Sequence, residues 1–261
     1  MRRVGSLLAE EKKNPGRRWF PVPKSRATVC DLLHFEREVP TFPHCREISL
    51  SAVDELRRSL PSRVSWTVIF IKAFALVAKE SPVLRQSWIR FPWPRLYLSP
   101  HSVAYLPVKR THQDEEWLCF APFFGPENQT LRELQASLES FHSGPVDEVF
   151  RTQYRSAFIP TPIRRLIIAS WFRLLGKRRV KRMGTFGITT VSSRGAEIQY
   201  PPGIQTSTIT YGPINEAGKS RVTIHYDHRL MDGWYVAEVL EELERVLHGV
   251  ILEELEDLVQ S

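Results

Sequence analysis

Residues 65–80 form the most apolar stretch of the chain. Val68, Ile69, Phe70, Ile71, Ala73, Phe74, Ala75, Leu76, Val77 and Ala78 leave almost no polar face. A helix apolar nearly all round is a buried helix, and Pro82 stops it. The other clear periodicity is at the far end. Arg221-Val222-Thr223-Ile224-His225-Tyr226 alternates like a strand. Val236, Val239, Leu240, Leu243, Val246 and Leu247 then recur at helical spacing, with Gly249 as a stop. Between these anchors the pattern predicts shorter elements. A helix over 28–37 ends before Val39-Pro40. A strand at 47–50 leads into Ser51, an N-cap for a helix over 52–60. Strand-like stretches follow at 85–98 (broken by Pro92 and Pro94), 102–108 and 116–123. Thr130-Leu131-Arg132-Glu133 is a capping box that opens a helix to about 142. A basic helix is expected near 162–182, and strands at 184–191, 206–211 and 221–227. Helices interleave with strands and nothing repeats, so the fold class is α/β with a mixed sheet and packed helices.

With 261 residues, 42% of them hydrophobic, the chain has the size of one large domain. Residues 1–17 are polar and basic and read as a flexible arm, which leaves 18–261 for the domain. Cys30, Cys45 and Cys119 are odd in number and widely spaced, so they suggest neither a metal site nor a disulfide framework. That usage, with a first segment too charged for a signal peptide, suits a cytoplasmic protein. The net charge is +7, yet residues 163–182 alone hold Arg164, Arg165, Arg173, Lys177, Arg178, Arg179, Lys181 and Arg182 with no acid. The rest of the chain is close to neutral. A nucleic acid wrapped over a broad basic face is not expected; a local anion site is.

The candidate chemistry sits where the strand periodicity gives way to the helical one. His228 falls on the turn between them, four residues ahead of Asp232-Gly233, and Asp232 is placed to cap the helix. An imidazole held at a strand end facing a cavity suits proton transfer at neutral pH. Asp-Gly is also ordinary turn chemistry, so this stretch alone does not define an active site.

Several segments together resemble the catalytic domain of the dihydrolipoamide acyltransferases of 2-oxo acid dehydrogenase complexes, which share the wider fold of chloramphenicol acetyltransferase. Asp227-His228-Arg229-Leu230-Met231-Asp232-Gly233 is similar to that family's Asp-His-Arg-x-x-Asp-Gly. Gly184-Thr185-Phe186-Gly187-Ile188-Thr189 resembles its Gly-Thr-Phe-Thr-Ile-Ser, and Pro201-Pro202 its Asn-Pro-Pro turn. The apolar helix, Ser25-Arg26-Ala27-Thr28-Val29 and the Val39-Pro40 entry to the first strand also align, over about residues 18–250. The resemblance implies a two-layer fold and coenzyme A-dependent acyl transfer without a metal. It implies His228 as general base, with the hydroxyl of Thr189 (Thr190 or Ser192 as substitutes) donating to the oxyanion. It implies a structural role for Asp232 beside Gly233, through a salt bridge to Arg26 or Arg229. It also implies a homotrimer or larger assembly in which His228 meets Thr189 of a neighbour. Trp234, directly after the motif, is placed to line an acyl pocket.

Two departures from the family matter. The seventeen or so residues ahead of the catalytic region are too few for a lipoyl or subunit-binding domain, so a lipoyl group is expected to arrive in trans or another acceptor to serve. Residues 143–183 also stand where the family has a short link. Within them Ile167, Ile168, Trp171, Phe172, Leu174 and Leu175 share one helical arc, followed by Lys177-Arg178-Arg179-Val180-Lys181-Arg182. Such a segment suits three roles: peripheral membrane contact through 163–182, packing on the core or a neighbour, or binding of coenzyme A phosphates by Lys177, Arg178 and Arg179. Three readings of the whole remain: a stand-alone acyltransferase, a complex core served in trans, and an inert scaffold relative. Retention of His228 and Asp232-Gly233 disfavours the last.

Overall fold

A computed structural model describes Trp19 and residues 22–260; the arm expected over 1–17 lies outside the described residues. The elements follow in this order. Helix α1 (Ala27–Glu36) leads to strand β1 (Thr41–Ser49) and helices α2 (Ser51–Ser59) and α3 (Trp66–Glu80). A hairpin of β2 (Gln86–Ile89) and β3 (Arg95–Leu98) precedes the long pair β4 (Val103–His112) and β5 (Glu115–Phe124). Helices α4 (Leu131–Ser143), α5 (Val146–Val149), α6 (Arg151–Ser156), α7 (Thr161–Leu174) and α8 (Gly176–Met183) come next. Strands β6 (Phe186–Thr189), β7 (Ser207–Tyr211) and β8 (Lys219–Asp227) lead to α9 (Gly233–His248) and α10 (Val250–Gln260).

Six strands form one mixed sheet in the order β1-β8-β7-β6-β4-β5. The β4–β6 and β6–β7 pairs are parallel and the others antiparallel. One face of this sheet carries the main core. Helix α3 lies against it with Val68–Ala75 fully buried, Phe70 stacked on Tyr211 at 4.5 Å and Phe74 edge-on to Phe186 at 4.9 Å. The periodicity over 65–80 therefore meant what it predicted. Ser65 caps the helix by accepting from the Thr67 amide, and the capping box at Thr130 is formed in both directions. Lys72 is the exception on this apolar helix. It is buried with its ammonium 2.8 Å from the Gln129 carbonyl and 2.5 Å from the Glu254 carboxylate, so the contact with α10 satisfies a charge that burial alone would strongly disfavour.

Helices α5 and α6 stand where the sequence predicted no element, and the structure differs from expectation in three further places. The strand expected at 47–50 begins at Thr41, because β8 pairs with all nine residues of β1; an exposed edge strand shows no alternation for a sequence reading to find. The last helix ends near Gly249 as expected, and a further helix, α10, follows at once. The single basic helix expected over 162–182 is two helices broken at Leu175 (φ −117°, ψ 81°). Gly176 after the break lies so close to the Tyr97 ring that a Cβ there would collide with it. Helices α6 to α8 fold over the second face of the sheet at its β4–β5 side. There Phe172 joins Phe35, Val39, Met183 and Ile204 in a second, smaller core. Among the described residues no helix is long and apolar enough to cross a membrane.

Candidate active site

Strand β8 delivers the His228 turn. The His228 amide donates to the Pro40 carbonyl at 3.1 Å, and the Leu230 amide donates back to the Asp227 carbonyl at 2.9 Å. The turn is thus tied both to the entry of β1 and to itself. The His228 side chain is exposed. Its ring stands edge-on to Phe42 at 5.0 Å and tilted against Tyr226 at 5.5 Å, so two aromatic walls orient an imidazole that solvent can still reach. Asp232 caps α9, its Oδ1 accepting from the Tyr235 amide at 3.1 Å. The acid lies near enough to Tyr226 to add to the effect of burial, which holds that phenol above its ordinary pKa.

The salt bridge expected at Asp232 is made elsewhere. Arg229 pairs with Asp227, Nε to Oδ1 at 2.8 Å and Nη2 to Oδ2 at 2.6 Å, and the Arg229 amide donates to the same Oδ1 at 3.1 Å. Asp227 ends a central strand and is 1% exposed, so its carboxylate needs those donors, whereas Asp232 is exposed and already engaged as a cap. Arg26 ends a short 3₁₀ turn before α1 and, like Asp232, takes part in no salt bridge among the described residues. The Arg229 guanidinium lies over the Trp88 ring at 5.2 Å. The Trp88 carbonyl in turn accepts from Arg179 of α8. The insertion is therefore joined to the His228 turn through one tryptophan. The sequence offered little warning of this: Trp88 reads as a packing residue, and Asp227 as a motif residue without a stated partner.

Thr189 ends β6 partly buried, but far from His228 of the same chain. It lies level with Thr210, and Thr210 with Thr223. His228 is five residues beyond Thr223, about 16 Å along the strand direction, with two strand spacings more across the sheet. The faces differ as well. Thr189 alternates with Ile188, which is fully buried in the main core, so its hydroxyl points to the second face. His228 packs with Phe42 and Tyr226. His225 is paired with Thr208 and Pro43 and is on the opposite side from Tyr226, turned away from His228 as the strand alternation predicts. It is 4% exposed, its Nε2 lacks a partner among the described residues, and burial pushes its pKa down to about 4. Of the substitutes, the Thr190 hydroxyl is engaged, donating to the Tyr211 carbonyl and accepting from the Ser192 amide.

The basic residues sort into two groups. Arg179 is 2% exposed, donates to the carbonyls of Trp88, Phe172 and Ile204 and stacks on the Phe172 ring at 4.1 Å; desolvation brings its pKa down to about 10. It is a tie inside the fold and is not offered to a phosphate. Arg164 and Arg165 share the buried Asp31, and Arg173 pairs with Glu38. Lys177, Arg178, Lys181 and Arg182 remain exposed. Most of the apolar arc is likewise turned to the protein: Phe172 is core and Ile167, Ile168 and Trp171 line a half-open cleft, whereas Leu174 and Leu175 are exposed. The large apolar side chains that this helix and its end leave exposed are Ile163, Leu166, Leu174 and Leu175. Trp234 is 78% exposed on the first turn of α9, with its indole N–H donating to Glu238.

No family model and no curated protein sequence matches the chain. Solved structures do, along nearly its full length. A truncated catalytic core of the 2-oxoacid dehydrogenase multienzyme complex from Thermoplasma acidophilum is similar with a TM-score of 0.65 and 15% identity, over 89% of this chain and 99% of that one. A probable dihydrolipoamide acetyltransferase from Listeria monocytogenes is similar at 0.62 and 12%, over 90% and 95%. An Azotobacter vinelandii dihydrolipoamide acetyltransferase, in whose catalytic mechanism the roles of a serine, a histidine and an asparagine four residues after it were investigated, is similar at 0.62 and 13%, over 91% and 94%. The chain has the fold of these acyltransferase cores. At such identities the likeness is one of fold.

Proposed function

We propose that this protein is an acyltransferase that moves an acyl group between thiols, with coenzyme A on one side of the exchange and His228 as the general base. The observation that carries the reading is His228 itself. Within the fold of acyltransferase cores it is exposed, oriented by Phe42 and Tyr226, and carried on a turn that Asp227–Arg229 and the Asp232 cap hold rigid. The four-residue step from His228 to Asp232 matches the histidine–asparagine step of the Azotobacter enzyme. In the proposed reaction a ring nitrogen of His228 takes the proton of the acceptor thiol, and the thiolate attacks the thioester carbonyl. The oxygen that becomes negative accepts a hydrogen bond from the Thr189 hydroxyl, and collapse expels the donor thiolate, which recovers the proton from the imidazolium. Asp232 and Gly233 support the turn and take no proton.

Because Thr189 and His228 of one chain lie at opposite ends and on opposite faces of the sheet, the same reading requires a neighbouring copy, and a homotrimer is the simplest closed arrangement. One similar structure is the cubic core of the pyruvate dehydrogenase multienzyme complex, which supports assembly beyond a single chain. Lys177 and Arg178 are the exposed cations proposed for the coenzyme A phosphates, and Trp234 is proposed to face the acyl group across the interface. Dihydrolipoamide, free or on a separate lipoyl protein, is the acceptor to test first.

The test is acyl transfer from a series of acyl-coenzyme A donors to dihydrolipoamide, with wild type beside His228→Ala. The expected result is turnover that falls about 10²–10⁴-fold in the variant, the usual contribution of a general base. Equal turnover in the two proteins would overturn the assignment. Coenzyme A binding without transfer to any thiol, amine or alcohol would leave the scaffold reading in its place.

A further inference from the structure

The insertion forms one side of a half-open cavity of about 430 Å³ between α1, helices α5 to α8 and the outer face of β4–β5. None of His228, Thr189, Asp232 or Trp234 lines it. Its walls are largely apolar, with Leu32, Phe35, Phe120, Ile167, Ile168 and Trp171 among them. The volume is within the range of small-molecule sites, about 300–1,000 Å³. Its apolar walls offer burial to a hydrocarbon guest, and its mouth opens to solvent.

The charged groups around it are unequal. Arg151, Arg164, Lys181 and Arg182 face only Asp31 and Glu148. Asp31 is already shared between Arg164 and Arg165, so the buried carboxylate neutralises one of two guanidiniums. Arg151, Lys181 and Arg182 are exposed, and none forms a salt bridge among the described residues. The Arg182 guanidinium rests over the cavity residue Trp171 at 5.7 Å. An apolar interior of aromatic and aliphatic side chains with a cationic rim suits a hydrocarbon chain ending in an anion.

We infer that this cavity binds a fatty carboxylate, its chain between α1, α7 and β5 and its carboxylate among Arg151, Lys181 and Arg182. The site is separate from the His228 turn and does not rest on the acyl-transfer reading. Its occupancy would be felt at that turn through α8, since Arg182 and Arg179 share that helix and Arg179 holds Trp88 beneath Arg229.

The experiment is calorimetric titration of the full chain with octanoate, dodecanoate and hexadecanoate, beside dodecanol, dodecyltrimethylammonium and dodecanoyl-coenzyme A. A brominated dodecanoate is added as a quencher of tryptophan emission. One-to-one binding of dodecanoate is expected, at least tenfold tighter than dodecyltrimethylammonium, with quenching that is lost in Trp171→Phe. Ile167→Trp, which fills the cavity, is expected to weaken dodecanoate at least tenfold. Arg151→Glu with Arg182→Glu is expected to weaken dodecanoate and leave dodecanol unchanged. No saturable binding of any carboxylate, equal affinity for the cationic amphiphile, binding of the coenzyme A thioester alone, or quenching that survives in Trp171→Phe would each overturn the proposal. The ligand series and the quenching use a chain with its cavity intact, so they decide the matter even if Ile167→Trp fails to fold. His228→Ala is expected to bind dodecanoate as wild type does, which separates this site from the fate of the acyl-transfer reading.

Discussion

Two histidines three residues apart show how far environment decides role. His228 stands exposed on a turn between aromatic walls, and His225 is buried on the other face with an unpartnered Nε2. Both lie on or just beyond one strand, and its alternation alone turns them to opposite faces. The alternation alone does not show how completely His225 is enclosed, because part of its surroundings, such as Tyr200 with its ring 6.2 Å away, comes from a loop outside the strand. The buried ring has a consequence for stability. Its pKa is pushed down to about 4 in the fold, while the unfolded chain titrates near 6.5. Between those values the unfolded state binds more protons, so this contribution is complete above pH 6.5 and is lost as the pH falls toward 4. Urea midpoints at pH 7 and 4.5 are expected to fall less far in His225→Gln than in wild type. Equal falls would place the acid sensitivity elsewhere, for instance at His142, whose pKa burial also lowers.

At the scale of elements, legibility followed locality. Helix α3 and the Thr130 capping box were readable because their signals are contiguous: an apolar run, a cap and a stop. Asp232 as the cap of α9 was readable for the same reason. Its replacement by Ala is expected to cost about 1 kcal/mol, the usual worth of an N-cap, read as a lowered urea midpoint. The basic segment was legible only in part because its partners are remote. Arg164 finds Asp31 and Arg173 finds Glu38, each more than 130 residues away, so eight cations on a line of sequence become four ties and four exposed charges. Gly176 was a visible breaker that the helical pattern over 162–182 overrode. Asp227→Asn is expected to weaken the Arg229 tie and cost about 1.5–3 kcal/mol, the range for hydrogen bonds to charged groups. Its acyl-transfer rate, normalised to folded protein, should fall because the turn carrying His228 loosens; an unchanged rate would mean that the Asp232 cap and the Pro40 contact suffice.

For the molecule as a whole, the sheet explains why the proposed site is incomplete in one chain. Thr189 and His228 mark opposite ends of the strands and opposite faces. The resemblance implied that division, and the register accounts for it physically. Mixing separately inactive His228→Ala and Thr189→Ala proteins under conditions that exchange subunits is expected to restore activity. In randomly mixed symmetric rings about a quarter of the sites would receive both native groups. Persistent inactivity would mean that the hydroxyl comes from elsewhere or that the copies do not share sites. A site divided in this way makes catalysis a collective property: below the concentration at which the copies hold together, turnover per chain declines even though every chain remains folded. Dilution alone would then silence the protein, and its abundance would set its activity more steeply than in proportion.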